Sequence, residues 1–332
     1  MIAREIRLAA RPTGMPKPSD FEIAEVEVPS PGEGQILVRN KVLSVDPYMR
    51  GRMSDAPNYA ESYRVGEVMW GRAIGEVVES SVDSLRPGDF VMHGLGWREY
   101  ATPEADEVRK VDPEVAPLSA YLGVLGMTGL TAYAGMVDIA GIKEGDHVFV
   151  SGAAGAVGSV AGQIAKLRGA ARVVGSAGSA EKVRYLKEEL GLDEAFNYKD
   201  GPVAAQLQTA APDGVDVYFD NVGGDHLEAA IGAMNMNGRA ALCGWISQYN
   251  ATSPPVGPNN MGRIVGWRLR LQGFIVTDHN DRMPEFLAEA GEWVRTGRLK
   301  YAETIVEGFE HTPDAFMDML AGKNTGKMVV SL

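Results

Sequence analysis

Only one cysteine, Cys243, occurs among the 332 residues, so the chain forms no internal disulfide and cannot build a cysteine-rich zinc site. The five histidines, His93, His147, His226, His279 and His311, are scattered without the short spacings of metal ligands. No apolar run reaches the roughly 18 to 20 residues that a membrane-crossing helix needs. The first residues, Met1 to Glu5, lead into no apolar signal core, which makes the cytoplasm the expected location. Positive charge is in deficit: 32 Lys and Arg stand against 44 Asp and Glu, for a net charge of −12. That balance excludes a broad electrostatic grip on nucleic acid or on an anionic membrane, but it does not exclude a local basic pocket. Internal repeats and low-complexity segments are also missing.

What remains is ordinary globular material, 45% hydrophobic and 23% charged, in a chain long enough for two domains. The first 120 or so residues carry short alternating runs broken by Pro and Gly. Phe21 to Val28 and Ile36 to Val42 alternate, Ala73 to Val78 follows, and the turn Arg86 to Asp89 separates it from the next run. This spacing predicts a β-rich, barrel-like domain. From about Pro117 the texture changes. Leu118 to Tyr133 reads as one long apolar helix, and strands then alternate with helices, which predicts a parallel sheet covered on both faces. Leu269 to Val276 reads as a further strand, buried in the monomer or equally an edge at which two nucleotide domains pair, and Pro284 to Thr296 as a helix, while the tail returns to strand character. The expected division is a β-rich catalytic or substrate domain at 1–122 and 300–332, interrupted by a nucleotide domain at 123–299. Asn250 to Arg263 is a long Pro/Gly-rich loop of the kind that is often functional.

The most informative segment joins a short apolar strand, His147 to Ser151, to a helix, Val157 to Leu167, through Gly152, Gly155 and Gly158. A tight strand-to-helix turn needs a residue without a Cβ penalty, and close approach of the backbone to a pyrophosphate needs no side chain. The first-turn N–H groups of the helix then face the phosphates. A glycine-rich turn alone is a weak signal; the flanking strand and helix and the further βα units make it a dinucleotide site. The spacing differs from the commonest fingerprint, because Ala153 stands where its first glycine would be.

The end of the second strand selects the cofactor. An NAD site usually carries Asp or Glu there for the ribose 2′-hydroxyl. Here Val174 to Ser179 offers no carboxylate before Glu181, which leaves room for a 2′-phosphate, and Lys182 follows with a positive charge. Lys182 read alone is also an ordinary solvated helix lysine. Tyr198 and Lys199 can close the other side. The expected cofactor is NADP(H). Catalytic zinc is not expected, because the one cysteine lies in the nucleotide domain. A nicotinamide enzyme without a Lewis acid favours substrates that already accept hydride, namely activated carbon–carbon double bonds and quinones.

The runs Ser44 to Met53, Gly123 to Tyr133, Gly152 to Lys166, Gly175 to Leu186, Phe196 to Asp200, Val217 to Gly224, Cys243 to Asn250, Gln272 to Val276 and Gly322 to Val330 follow a family order over almost the whole chain. They resemble the zinc-free medium-chain dehydrogenase/reductase superfamily, and within it the prostaglandin reductase, leukotriene hydroxydehydrogenase and 2-alkenal (curcumin-type) double-bond reductase group. The resemblance implies an α/β fold, a Rossmann domain plus a GroES-like β-barrel, a homodimer, and NADPH-dependent reduction of the α,β double bond of a small enone or enal. It also implies phosphate contacts at Gly155, Ala156, Val157 and Gly158, a 2′-phosphate grip by Lys182 and Tyr198, and a cofactor contact at Ser179. Met127, Asn221, Cys243, Gly244, Ser247, Tyr249, Phe274, Ile275, Val276 and Asn324 would line the rest of the cofactor. Trp245 and the run Thr277 to Asn280 lie where such families vary, so pocket shape stays open.

Hydride transfer to the β-carbon leaves charge on the carbonyl oxygen, so the site needs a donor for that oxygen and a proton for the α-carbon. Tyr249 is the first candidate, either bonding the nicotinamide ribose or assisting protonation, and it is also readable as an ordinary packed tyrosine. Tyr48 is the candidate from the first domain, in a loop that reads equally as structural, and Tyr59 is a weaker one. Arg50 and Arg52 are candidates to orient an acid group of the substrate but are expected rather to form salt bridges within their loop, and Cys243 to be a packed strand-end residue rather than a nucleophile. Quinone reduction or zinc-free alcohol oxidation on the same scaffold, and cofactor binding without catalysis, are the alternatives.

Overall fold

The alternating runs of the first hundred residues become strands because each has one face to bury. A computed structural model describes residues 1–332, which divide into two units. The first comprises Met1–Leu122, Glu303–Asn324 and Met328–Leu332, the second Gly123–Ala302 and Thr325–Lys327.

In chain order the early elements are β1 (Ile2–Leu8), β2 (Phe21–Glu27), β3 (Ile36–Ser44), α1 (Tyr48–Arg52), β4 (Ala73–Ser80), β5 (Phe90–His93), β6 (Tyr100–Ala101) and β7 (Arg109–Val111). Next come α2 (Met127–Ala134), β8 (His147–Val150), α3 (Ala156–Leu167), β9 (Arg172–Ala177), α4 (Ala180–Arg184), β10 (Glu194–Asn197), α5 (Val203–Ala210) and β11 (Val215–Asp220). The remainder are α6 (Gly224–Ala233), β12 (Met234–Leu242), α7 (Gly262–Trp267), β13 (Arg270–Gly273), α8 (Met283–Arg295), β14 (Glu303–Glu307), α9 (Thr312–Leu320) and β15 (Lys327–Ser331).

In the first unit β1 and β2 form an antiparallel pair, and a second sheet runs β14-β15-β3-β4-β5-β7 with β6 on β3. The C-terminal β15 thus lies against β3, with Val329 opposite Ser44. One core gathers Ile6, Leu8, Phe21, Met49, Trp97 and Phe316, whose rings meet edge-on or stacked at about 6 Å. The second unit is a six-stranded parallel sheet in the order β10-β9-β8-β11-β12-β13. Its strand interiors, such as Val148, Phe149, Val150, Val217, Tyr218 and Phe219, are fully buried, as strands covered on both faces must be. No helix is long and apolar enough to cross a membrane.

Two expectations need correction. Leu118 to Tyr133 is not one helix: a 3-10 turn spans Leu118–Tyr121, and α2 starts only at Met127. The chain is extended at Gly126, and α2 packs so closely on the preceding strand of backbone that a Cβ at Gly129 would stand 2.0 Å from the Val124 carbonyl oxygen. Leu269 to Val276 is not a buried strand. Only Arg270–Gly273 pairs, at the free edge of the sheet, and three of its four residues are exposed. The helix after β9 is short, giving way at Tyr185 to a π turn.

Candidate functional site

The parallel sheet sends the C-terminal ends of its strands to one side, where open α/β sheets take their ligands. Most of the candidate residues come from that rim. Gly152 follows β8, Ser179 follows β9, Tyr198 follows β10, Asn221 follows β11, Cys243 follows β12 and Phe274 follows β13.

At the β8 end the backbone is drawn tightly. Gly152 holds φ +59°, and a Cβ at Gly158 would fall 2.4 Å from the Gly152 carbonyl oxygen and 2.8 Å from the Ala153 Cα. Helix α3 therefore starts against the loop with no room for a side chain. Gly155 is its N-cap and supplies no side-chain acceptor, so the first-turn amides of Ala156, Val157 and Gly158 await a partner from outside the helix. The Gly326 N–H donates to the Ala154 carbonyl at 2.8 Å and straps the loop from behind. Such a cradle fits a pyrophosphate.

At the β9 end Gly178 meets Tyr198. A Cβ there would lie 3.0 Å from the tyrosine hydroxyl, so the ring rests on the glycine. The Lys199 ammonium stands 5.8 Å from that ring. Lys182 is half-buried, and burial, then the neighbouring Lys199 charge, lower its pKa. The two cations lie close enough to repel, with no carboxylate between β9 and Glu181, and an anion beside them would relieve that repulsion. His226 supports Tyr198 edge-on at 5.3 Å and stacks on Phe149.

The β11 and β12 ends share an organiser that sequence reasoning missed. Asp220 is buried, and its Oδ1 accepts from the Tyr218 hydroxyl at 2.6 Å, the Ser151 hydroxyl at 3.1 Å, and the Val222 and Gly223 amides at 2.9 and 2.8 Å. Its carbonyl accepts from the Cys243 and Gly244 amides. Asn221, in turn, donates from Nδ2 to the Ser151 carbonyl at 2.8 Å, and its own carbonyl accepts from Ile246 N–H. Ser247 donates to the Val222 carbonyl at 2.6 Å. One carboxylate thereby fixes two loops that carry Asn221, Cys243, Gly244 and Ser247. The only signal in the sequence was a lone acid ending a buried strand.

Tyr249 follows the short turn Ile246–Gln248, with its hydroxyl 3.6 Å from where a Gly244 Cβ would be and its ring edge-on to the exposed Trp245. Cys243 is half-buried, and desolvation pushes its thiol pKa up to about 12, which suits packing and not nucleophilic attack. Phe274 meets Phe219 edge-on and leads into Ile275 and Val276. Met127 opens α2.

Tyr48 and Asn324 belong to the first unit. Burial, then the charge of Asp46, raise the Tyr48 pKa well above the usual tyrosine value, so its hydroxyl stays protonated. Asn324 lies in the turn between α9 and β15. Tyr59 is exposed. Arg52 corrects an expectation: it forms no salt bridge but lies over the rings of Trp70 and Tyr48, 4.0 and 4.8 Å from their centres. Arg50 is buried, donating to the Pro12 and Gly14 carbonyls. No group of three or more His, Cys, Asp or Glu is placed to hold a metal ion.

Residues 4–111 match a family described as the N-terminal domain of oxidoreductase, and residues 156–292 one described as zinc-binding dehydrogenase. The NADPH-dependent curcumin reductase of Escherichia coli is 44% identical, covering 97% of this chain and 95% of its own. Prostaglandin reductase 1 of Rattus norvegicus is 46% identical, covering 96% and 95%. The crystal structure of CurA from Vibrio vulnificus in complex with NADPH superposes with a TM-score of 0.94 at 44% identity, covering 99% of each chain.

Proposed function

From its membership of the medium-chain dehydrogenase/reductase family, in the group of prostaglandin, curcumin and 2-alkenal reductases, we propose that this chain is an NADPH-dependent reductase of the α,β double bond of small enones and enals. The observation that carries the cofactor half is the cationic pocket of Lys182, Lys199 and Tyr198 at the end of β9. Bound NADPH supplies the hydride that the substrate's β-carbon receives.

The chain's own residues do the rest. The first-turn amides of α3 hold the pyrophosphate, and Lys182, Ser179 and Tyr198 hold the 2′-phosphate. Asn221, Gly244, Ser247, Phe274, Ile275, Val276, Met127 and Asn324 position the ribose and ring. Tyr48, protonated at neutral pH, donates to the carbonyl oxygen as charge gathers there. The Tyr249 hydroxyl orients the ribose and delivers a proton toward the α-carbon. Asp220 acts through the loops it fixes. The working form is a homodimer in the cytoplasm, joined along the free β13 edge.

The test is deuteride transfer from 4-deuterated NADPH to a neutral methyl enone. Label at the β-carbon of the saturated ketone is expected, with NADPH preferred over NADH. Lys182→Ala removes a charge-assisted contact and is expected to raise the KM for NADPH by roughly ten- to a hundredfold while leaving that for NADH nearly alone. Label at the carbonyl carbon, or equal use of both cofactors by wild type and variant, contradicts the reading.

A further inference from the structure

Arginine in a folded protein is usually found against a carboxylate, and a buried guanidinium N–H without an acceptor is uncommon. Two neighbouring arginines of the first unit, Arg72 and Arg109, have no carboxylate partner, and one of them has a buried N–H without an acceptor. Arg109 opens β7 directly opposite Met92 of β5, and Met92 is itself opposite Ile74 of β4. Cross-strand partners share a sheet face, as do residues two apart on a strand. Arg72 lies just before β4, two residues ahead of Ile74, and alternation carried one residue past the strand points it to the face of Met92 and Arg109.

The contacts agree with that register. The Arg72 Nη1 stands 4.0 Å from the Met92 sulfur, a weak acceptor at best. The Arg109 Nη2 is buried with no hydrogen-bond partner. The charged groups facing Arg109 are Arg72 and the phenol of Tyr121; no acid is among them. Burial, and then the Arg72 charge, lower the Arg109 pKa. Arg72 also faces Tyr48, whose hydroxyl lies 3.7 Å from the position a Gly71 Cβ would take, one residue away. Arg52 faces the same tyrosine from its other ring contact. Two like charges are thus held side by side, partly desolvated and unneutralised, next to the candidate donor of this unit. A planar oxyanion accepting from both forks would satisfy the unpartnered Arg109 Nη2 and remove the repulsion.

We propose that Arg72 and Arg109 form an anion subsite beside Tyr48 that holds a carboxylate carried by the substrate away from its reacting double bond. The proposal rests on the double-bond reductase reading and narrows its substrates to enones that bear an acid group. The site holds the acid and takes no part in the bond changes.

The test compares a straight-chain methyl enone ending in a carboxylate with its methyl ester, taking as readout the ratio of their kcat/KM values. In the wild type the acid is expected to be favoured by about tenfold or more. Arg109→Gln and Arg72→Gln each lower that ratio by about tenfold, and Arg109→Lys, which keeps the charge, restores part of it. A wild-type ratio near one, or a ratio that neither glutamine variant moves, overturns the subsite. Turnover of neither compound sinks the reductase reading instead, and the subsite is then decided by melting temperature. Decanoate raises the Tm of the wild type and not of Arg109→Gln, and methyl decanoate raises neither. Equal shifts in wild type and variant, or none in either, overturn the proposal without reference to activity.

Discussion

At His93 the protonation state is set by its neighbours. The Leu95 N–H donates to Nδ1 at 3.1 Å, so Nδ1 carries no proton, and Nε2 donates to the Asn40 carboxamide oxygen at 2.8 Å. The ring is therefore neutral, and burial lowers its pKa from 6.5 to about 3. Above pH 6.5 the group is neutral in both folded and unfolded chains and contributes no pH dependence. Below it the unfolded chain takes up a proton that the folded one refuses, so stability falls by up to about 1.4 kcal/mol per pH unit until about pH 3. Urea unfolding at pH 7 and pH 5 is expected to show a loss of ~2 kcal/mol from this group, absent in His93→Gln. Equal losses in both proteins would refute it. Such a side chain is opaque in the sequence, where His93 is only one of five scattered histidines. The same holds for Arg72 and Arg109, whose lack of partners depends on the register of β4, β5 and β7. Residue spacing does not report register between strands far apart in the chain. The expectation for Lys182 rests instead on a local fact, the absence of acid in the eight residues before Glu181.

Among the elements, the β8–loop–α3 unit was the most legible, because strand, glycines and helix are consecutive. Its glycines are not equivalent, however. Gly158→Ala sets a methyl group against backbone on two sides, at 2.4 and 2.8 Å, so the loop must shift away from its phosphate-binding shape. A lower Tm and at least tenfold weaker NADPH binding by fluorescence titration are expected. Gly162→Ala, one turn on in the same helix, meets only the Leu192 side chain at 3.4 Å or more and gains helix propensity. It is expected to bind NADPH like wild type and to be as stable or up to about 1 kcal/mol more so. If the two variants behave alike, the cradle is not what the glycines preserve. Elements whose limits depend on tertiary packing read poorly. The apolar run Leu118 to Tyr133 has helical composition throughout, yet it breaks at Gly123–Gly126 where one unit ends and the next begins. The strand after Leu269 reads as buried because Leu269 and Leu271 are apolar, while its place at the end of the sheet decides its exposure.

For the whole molecule, the chain leaves the first unit at Leu122 and returns at Glu303, so β14 and β15 complete a sheet begun about 260 residues earlier at β3. Folding of that unit waits on the C-terminal segment. Nothing comparable covers β13 at the far end of the parallel sheet. An exposed edge strand offers free N–H and C=O groups to another chain, and natural proteins usually blunt or pair such edges. Here the neighbouring segments add apolar surface instead: Val265 is 82% exposed and Val256 88%, with Met261 and Trp267 also uncovered. Two copies meeting edge to edge would extend the sheet and bury that surface symmetrically, which is why the homodimer proposed above is placed along β13. Sedimentation of the wild type is expected to give a mass near twice the 35.6 kDa of one chain. Val265→Glu puts a like charge on both sides of the two-fold contact at a position without packing inside its own unit, so it is expected to shift the protein toward monomer with its circular dichroism unchanged. A monomeric wild type at micromolar concentration, or a variant that dimerises equally well, would leave β13 a bare edge and rule out the β13 dimer.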